Sequence, residues 1–422
     1  MSDAKRAITP ARAVTAVLAG ACIAAASVPS GAVAQDPRRP DLLTLAQGAV
    51  PVAVTGVGAE RAHGADLSHA LQAVDGNPGG FVMLNRASEE TDVSFTYVLP
   101  ALTTFDRFAV TNVLETPSPS QTFVRQVEVF GSAASAEGPW TRLATATLST
   151  HAERGMETDL TLEDRTPVRW VRLRVAGGIE MLRDAMFLEF SEIVGEGRRT
   201  EVPALPDFAG SWWDRGVRLT LLQDGPVVTG CYDDGSRLEG DIAEGILRAS
   251  GVGRTDGVVS HFVLGLTDDG AVRGVRSTNG APFTLYAGAA AEPGGRRVEC
   301  AEPPPPVLGC GAVLRGITFG FDSADILPEA GPLLDRVAAA LAAETPGQVA
   351  VIEGHTSSEG AEDYNQRLSG RRATSVVEAL VARGVAQGSL RPEGLGESRP
   401  VASNDDEAGR ALNRRVEIRC GS

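Results

Sequence analysis

Apolar and polar residues alternate over strand-length runs through most of the first half of this 422-residue chain, and no long helical period interrupts them between Gln35 and Glu201. FDRFAVTNV (Phe105–Val113), FVRQVEVFG (Phe123–Gly131), VRWVRLRV (Val168–Val175) and MFLEFSEIVG (Met186–Gly195) carry the pattern, with turn-rich segments such as SAASAEG between them. Alternation of this kind predicts an antiparallel sandwich with one wet face per sheet. A second β segment spans 206–300. There FAGSWW, RLTLLQDGPVVTGCYDDG and HFVLGLTDDGAVRGVRSTNG repeat a strand, an Asp-Gly turn and a strand, which predicts a small antiparallel barrel or curved sheet. Trp212 and Trp213 in this segment read either as core or as the mouth of a ligand site.

From Leu314 the pattern changes. LRGITFGF reads as a strand, ILPEAGPLLDRVAAALAAE as an amphipathic helix, QVAVIEGH as a strand and AEDYNQRLSGRRATSVVEALVARG as a long helix with a glycine stop; SLRPEGLGE and ALNRRVEIRC read as two further strands. This alternation predicts an α/β sandwich with helices on one face of a mixed sheet. The whole is therefore multidomain, β plus α/β: a sandwich over 35–201, the small β domain over 206–300, a proline-rich linker over 301–309 and the α/β domain over 310–422.

Residues 1–34 read as an export signal rather than fold. Lys5, Arg6 and Arg12 precede an apolar stretch from Ala13 to Ala26, and Ala32-Val33-Ala34 supplies the small residues of a cleavage site. A lipid-attached Cys22 is the rival reading; it would hold the protein at a membrane. The full chain has 39 basic and 54 acidic residues, and loss of the leader takes the net charge to about −17. Such a field opposes nucleic acid and anionic lipid. Lys5 is the sole lysine, so after cleavage lysine-based catalysis is excluded.

Four cysteines follow the leader: Cys231, Cys300, Cys310 and Cys420. In an oxidising compartment an even number without CxxC spacing favours disulfides. Of three possible pairings, Cys231 with Cys300 and Cys310 with Cys420 closes the two segments already delimited as domains. The five histidines are scattered, without HExxH, and neither GxSxG nor a P-loop occurs. Paired aspartates such as Asp233-Asp234 and Asp268-Asp269 sit in Asp-Gly turns. The expectation is a noncatalytic protein that requires no cofactor.

TFGFDSADI (Thr318–Ile326), IEGHTSSEG (Ile352–Gly360), YNQRLSGRRATSVVEAL (Tyr364–Leu380), GLGESRPVASND (Gly394–Asp405) and GRALNRRVEI (Gly409–Ile418) occur in the order and spacing of the OmpA family. Residues 310–422 resemble its C-terminal peptidoglycan-binding domain. That resemblance implies a site for the diaminopimelate residue of the stem peptide in a Gram-negative wall. In the family an aspartate closing GHTD and an arginine in LSxxRA grip the amino and carboxylate ends. The arginine here is Arg372, with Leu368 before it, and the assisting asparagine is Asn365, which reads equally as a helix cap. Asn365 and Arg372 are seven apart and share a helix face. Thr356 and Ser357 close the strand, and Ser357 stands where the family has its aspartate. Loss of that charge costs on the order of 1–3 kcal/mol, which Glu359 or Glu362 in the same loop could restore. Arg414 and Arg415 read as alternating on the last strand, one toward the site and the other toward solvent, and His355 as a structural residue at a strand end.

AVDGNPGGF (Ala73–Phe81), FGSAASAEGPWTRL (Phe130–Leu143), VRWVRLRV and FLEFSEIVG more loosely resemble the discoidin-type, galactose-binding-like jelly roll. That likeness implies a structural calcium held by Asp75 and Glu192; the alternative reading of Asp75–Pro78 is a plain tight turn. The expected partners are peptidoglycan, and a glycan or another envelope protein on the N-terminal domains, in the periplasm or at the outer membrane. A surface or vesicle adhesion protein is the alternative, and an accessory of a cell-wall hydrolase a third.

Overall fold

A single strand, Asp92–Thr111, organises the N-terminal region. The computed structural model describes residues 40–56, 64–77, 82–85, 92–111, 124–148, 156–177, 187–233, 235–254, 256–290, 306–320, 322–343 and 348–420. The expected leader, Cys22, Phe81 and Cys300 lie outside them. In its first half the long strand pairs with Val50–Thr55 and Val168–Ala176; from Thr103 onward it pairs with Ile193–Arg199, and beyond Phe108 with Glu157–Asp159. The register shifts between Val98 and Thr103, where Pro100 removes a ladder donor. One sheet thus runs through what alternation predicted as two, continuing from Val168–Ala176 to Gln126–Ser132, Thr141–Thr147 and Thr161–Leu162. The stretch 186–195 is also not one strand. Phe187–Phe190 pairs with Val82–Asn85 in a separate two-stranded sheet, and Ile193–Arg199 joins the main one. Ser191 and Glu192 form the break between them.

Inward residues of these strands, among them Phe95, Tyr97, Leu99, Phe105, Phe108, Val127, Val129, Leu173 and Val175, form one core with Leu42, Leu43, Val74 and Val82. Tyr97 is fully buried, and its hydroxyl is satisfied by the Ala70 carbonyl at 2.7 Å.

The second β segment is a closed barrel of eight strands, each antiparallel to the next, from Gly210–Asp214 to Thr284–Ala290. Closure comes from Trp212 opposite Ala290 and Trp213 opposite Ala289. Phe208, Trp212, Leu219, Leu221, Tyr232, Phe262 and Tyr286 fill the interior. Trp212 is therefore core. Trp213 is 48% exposed and lies under Arg218 on the outside of the barrel.

The C-terminal sheet has the order Val313–Leu314, Val416–Cys420, Ala350–His355, Leu390–Gly396, with only the last pair parallel. The four α-helices of the described residues are α1 (Leu67–Gln72), α2 (Gly331–Ala342), α3 (Glu362–Val381) and α4 (Glu407–Asn413). Leu333, Leu334 and Val337 of α2 and Val376, Val377 and Leu380 of α3 share a core with Ile352, Val416 and Ile418 of the sheet.

Two expectations are corrected here. The strand expected across LRGITFGF shrinks to Val313–Leu314, followed by an isolated bridge between Phe319 and Ile326. The strand expected across ALNRRVEIRC begins only at Val416, because Ala411–Asn413 ends α4, whose N-cap Asp406 accepts the Gly409 N–H at 2.7 Å. Arg414 and Arg415 hence do not alternate on a strand. Arg415 is 4% exposed and ion-paired to Glu417 at 2.6 Å.

Residues Asp36–Ser422 form one unit. Ala408 and Leu412 of α4 pack with Leu45, Leu71 and Val98 of the first domain and Ile246 and Val263 of the barrel. Asp241 of the barrel accepts the Arg315 N–H at 2.8 Å. Cys310 and Cys420 are bridged, with Cα atoms 5.4 Å apart, tying the entry of the last domain to its final strand. Cys231 is also disulfide-bonded; Cys300, its expected partner, lies outside the described residues. Among the described residues no helix is long and apolar enough to cross a membrane.

Candidate ligand site

Helix α3 presents Asn365, Leu368, Ser369 and Arg372 on one buried stripe. The helix approaches the sheet closely because two strand positions have no side chain. A Cβ on Gly354 would stand 2.4 Å from the Ser369 carbonyl oxygen, and one on Gly394 would stand 2.4 Å from the Gly370 nitrogen. Ser369 completes the seam by accepting the Gly396 N–H at 2.9 Å. This contact sets the depth at which Arg372 sits.

Arg372 is 9% exposed. Its guanidinium lies over the Phe319 ring, 4.9 Å from the centroid, and its Nε donates to the Ser323 carbonyl at 2.9 Å. Burial, with Arg414 nearby, pulls its pKa down to about 10, while Asp322 acts in the opposite direction. Among the described residues no carboxylate comes within ion-pair distance of it. Such a buried cation, with most of its donor fork uncommitted, has the charge and the parallel N–H geometry that suit a carboxylate.

The loop after Ala350–His355 forms the opposite wall. Thr356 is buried, and its hydroxyl has no partner among the described residues. Ser357 is buried and donates to Glu359 Oε2 at 3.1 Å. Glu359 is 60% exposed, with Arg410 at 3.6 Å and Arg414 at 3.7 Å. Asn365 does not cap the helix, whose N-cap is Ala361. Its side-chain nitrogen donates to Glu397 at 2.5 Å and to the Ser357 carbonyl at 3.3 Å, so the amide ties the loop to the segment after Leu390–Gly396. Leu368 is buried on the same helix. Glu362 is exposed on the first turn of α3.

His355 is 3% exposed, and its pKa is lowered to about 4, first by burial and then by Arg415. It is neutral, with Glu417 at 3.9 Å. Glu353, His355 and Glu417 lie close enough to share an ion, but Glu417 is engaged by Arg415 and Arg419, and Arg399 and Arg419 flank Glu353. Arginine already balances this charge.

Sequence reasoning placed Asp75 and Glu192 together, and the structure adds Asp41. Glu192 is 4% exposed, accepts the Gly76 N–H, and is raised well above the usual carboxylate range by burial and by the charges of Asp41 and Asp75. Its Oε1 has no partner among the described residues. Burial raises both Asp41 and Asp75 to about 7. Asp75 also accepts the Asn77 N–H at 2.8 Å, so the turn reading and the carboxyl cluster coexist. Nothing in the sequence tied Asp41 to this loop, because its position depends on a bridge to Glu196 and on the Leu43 and Gly195 N–H groups. Arg410 and Glu397 were also missed as neighbours of the site, though both lie in quoted motifs; of the two arginines of which one was expected to face the site, Arg414 is the one beside Glu359.

Residues 318–414 match the model of the OmpA family. The peptidoglycan-associated lipoprotein of Pseudomonas putida is 45% identical over 111 residues, 26% of this chain and 66% of that protein. Outer membrane porin F of Pseudomonas fluorescens is 45% identical over 101 residues, 24% of this chain and 31% of that protein. A crystal structure of the peptidoglycan-associated lipoprotein from Burkholderia pseudomallei is 33% identical, with a TM-score of 0.24, covering 25% of this chain and 88% of that one. The chain spans just under two thirds of the length of the Pseudomonas lipoproteins it matches, at 66% and 65%.

Proposed function

Taking the C-terminal domain as a member of the OmpA family, we propose that this protein is an exported, noncatalytic component of a Gram-negative envelope that binds the diaminopimelate stem peptide of peptidoglycan. The observation that carries this reading is Arg372, a buried guanidinium with an aromatic floor, a backbone anchor and no described carboxylate partner. A peptide carboxylate that accepts two parallel hydrogen bonds from it replaces lost hydration with a charge-assisted pair. Asn365 and Leu368 shape the wall, and Thr356, Ser357 and Glu359 face the other end of the ligand. Relatives named as peptidoglycan-associated lipoproteins and an outer membrane porin support a wall-binding role at the periplasmic side of the outer membrane.

The domain limits taken are 35–201, 206–300 and 310–422, with the leader cleaved before Gln35. The first domain is read as discoidin-like and, with the barrel, as the surface that meets a glycan or another envelope protein. The test of the central reading is cosedimentation of the full chain with insoluble peptidoglycan of the diaminopimelate type and of the lysine type. Retention on the first only is expected; equal retention on both, or on neither, contradicts it.

A second proposal is that Asp41, Asp75 and Glu192 hold a divalent cation of the calcium type. Its support is three carboxyl groups with raised pKa values, Glu192 buried and Asp41 and Asp75 half-buried, and a Glu192 Oε1 without a partner among the described residues. A hard cation with oxygen ligands would offset that charge and organise the loop, without entering the wall site. Calcium titration followed by thermal unfolding tests it: the midpoint rises for the native chain and stays fixed for Glu192→Gln. No rise for the native chain removes the proposal.

A further inference from the structure

We propose that Glu359 receives the ligand's ammonium in place of residue 357, and that the first domain holds Glu359 in position through Arg410. The inference deepens the peptidoglycan reading and rests on it.

Ser357 has no charge to offer, yet its hydroxyl donates to Glu359 Oε2 at 3.1 Å. A carboxylate oxygen therefore stands one hydrogen bond beyond the side chain that replaces the family's aspartate. Two neighbouring carboxylates, Glu407 and Glu397, are committed. Glu407 accepts from Arg410 at 2.9 Å and from Arg414, and its side chain is 14% exposed. Glu397 accepts from Asn365. Glu359 is 60% exposed, and its arginines at 3.6 and 3.7 Å are beyond direct hydrogen-bond distance. They restrain the carboxylate and leave it able to accept from an incoming ammonium.

Arg410 is itself fixed across a domain junction. It is 8% exposed and donates to the Gly76 carbonyl of the first domain at 2.5 Å, to the Asn404 carbonyl at 3.1 Å and to Glu407. The preceding carbonyl, that of Asp75, accepts the Glu407 N–H at 2.7 Å. Gly76 has φ 72°, and a Cβ there would stand 2.5 Å from the Glu407 Cβ and 2.7 Å from an Arg410 terminal nitrogen. Only glycine lets α4 seat on this loop. The amine half of the wall site is thus built on two domains, while the carboxylate half, Arg372, belongs to α3 alone.

The test measures binding of the full chain to meso-diaminopimelate and to pimelate, the same dicarboxylate without amino groups. The native protein should prefer the diamine. Glu359→Gln should lower that preference about tenfold or more while pimelate binding holds. Arg410→Gln should shift it the same way by a smaller factor, as should Gly76→Ala where thermal unfolding shows the variant folded. A purely structural role for Glu359 or Arg410 would lower both affinities together. Arg372→Ala reports on the underlying reading: retention of both ligands defeats that reading, whereas loss of both with Glu359→Gln still preferring the diamine defeats this proposal alone. An unchanged preference in Arg410→Gln removes the part assigned to the first domain.

Discussion

The Arg372 guanidinium lies 4.9 Å from the centroid of the Phe319 ring, in a wall of the C-terminal domain where it meets no described carboxylate. An unpaired buried cation costs stability that a neutral side chain would not, and that cost is tolerated where a ligand supplies the anion. Arg372→Met should raise the thermal midpoint of the free protein, by the equivalent of about 1 kcal/mol, and abolish retention on peptidoglycan. Differential scanning calorimetry beside a pull-down checks both. A fall in the midpoint would assign Arg372 to the fold rather than to a ligand.

The carboxyl cluster makes a pH prediction. Asp41 and Asp75 are raised to about 7 and Glu192 is raised well above its usual range, so the fold favours their protonated forms. Arg410 opposes the shift at Asp75 and Glu192 but does not cancel it. Stabilisation is therefore fully present below pH 4 and is lost as pH rises through about 7. In a chelator, the thermal midpoint should fall between pH 5.5 and 8.5, and Glu192→Gln should flatten that fall. Calcium should restore the midpoint at the upper end.

At the barrel junction, Asp241 is fully enclosed, accepts the Arg315 N–H at 2.8 Å, and has its pKa raised to about 6 by burial. Arg315 is equally enclosed, and burial lowers its pKa. Asp241→Ala would strand that cation and should cost about 3 kcal/mol, more than Asp241→Asn, which keeps an acceptor. Chemical denaturation, with barrel and C-terminal transitions followed separately, measures the difference. Equal small effects would show that the junction contributes little.

The Cys310–Cys420 bridge closes a loop with a sequence separation of 110. Replacing both cysteines by serine should destabilise the C-terminal domain by about 2–4 kcal/mol, chiefly by freeing the unfolded chain. Arg372 is set by packing of α3 on Gly354 and Gly394, so wall binding by the folded fraction should persist. Loss of binding at a temperature where the variant remains folded would overturn that separation.

Much of this architecture was legible because local pattern and tertiary packing agree. Helix α3 reads from its amphipathic stripe, and the same stripe delivers Asn365, Leu368 and Arg372 to one wall. Hairpins with Asp-Gly turns announced the barrel, although closure depends on the pairing of Trp212 and Trp213 with the last strand, which no local signal encodes. Helix α4 was missed because LNRRVEI alternates like a strand; its apolar partners, Leu45, Leu71 and Val98, lie more than 300 residues earlier in the chain. The bent strand Asp92–Thr111 hid the single sheet for a related reason, since Pro100 reads as an end when it marks a change of partner. Ser357 departs from a known motif and the loop offered Glu359 or Glu362 as substitutes; the fold sets the Ser357 hydroxyl on Glu359 and brings Arg410 beside it.

Whether Arg372 binds the wall through a peptide carboxylate is decided by cosedimentation of the full chain with diaminopimelate-type peptidoglycan, native protein against Arg372→Ala, with thermal unfolding as the control for folding. The native chain should be retained, and a folded Arg372→Ala should lose about a hundredfold in affinity. Equal retention of the two would contradict that role and move the search for function to the β domains.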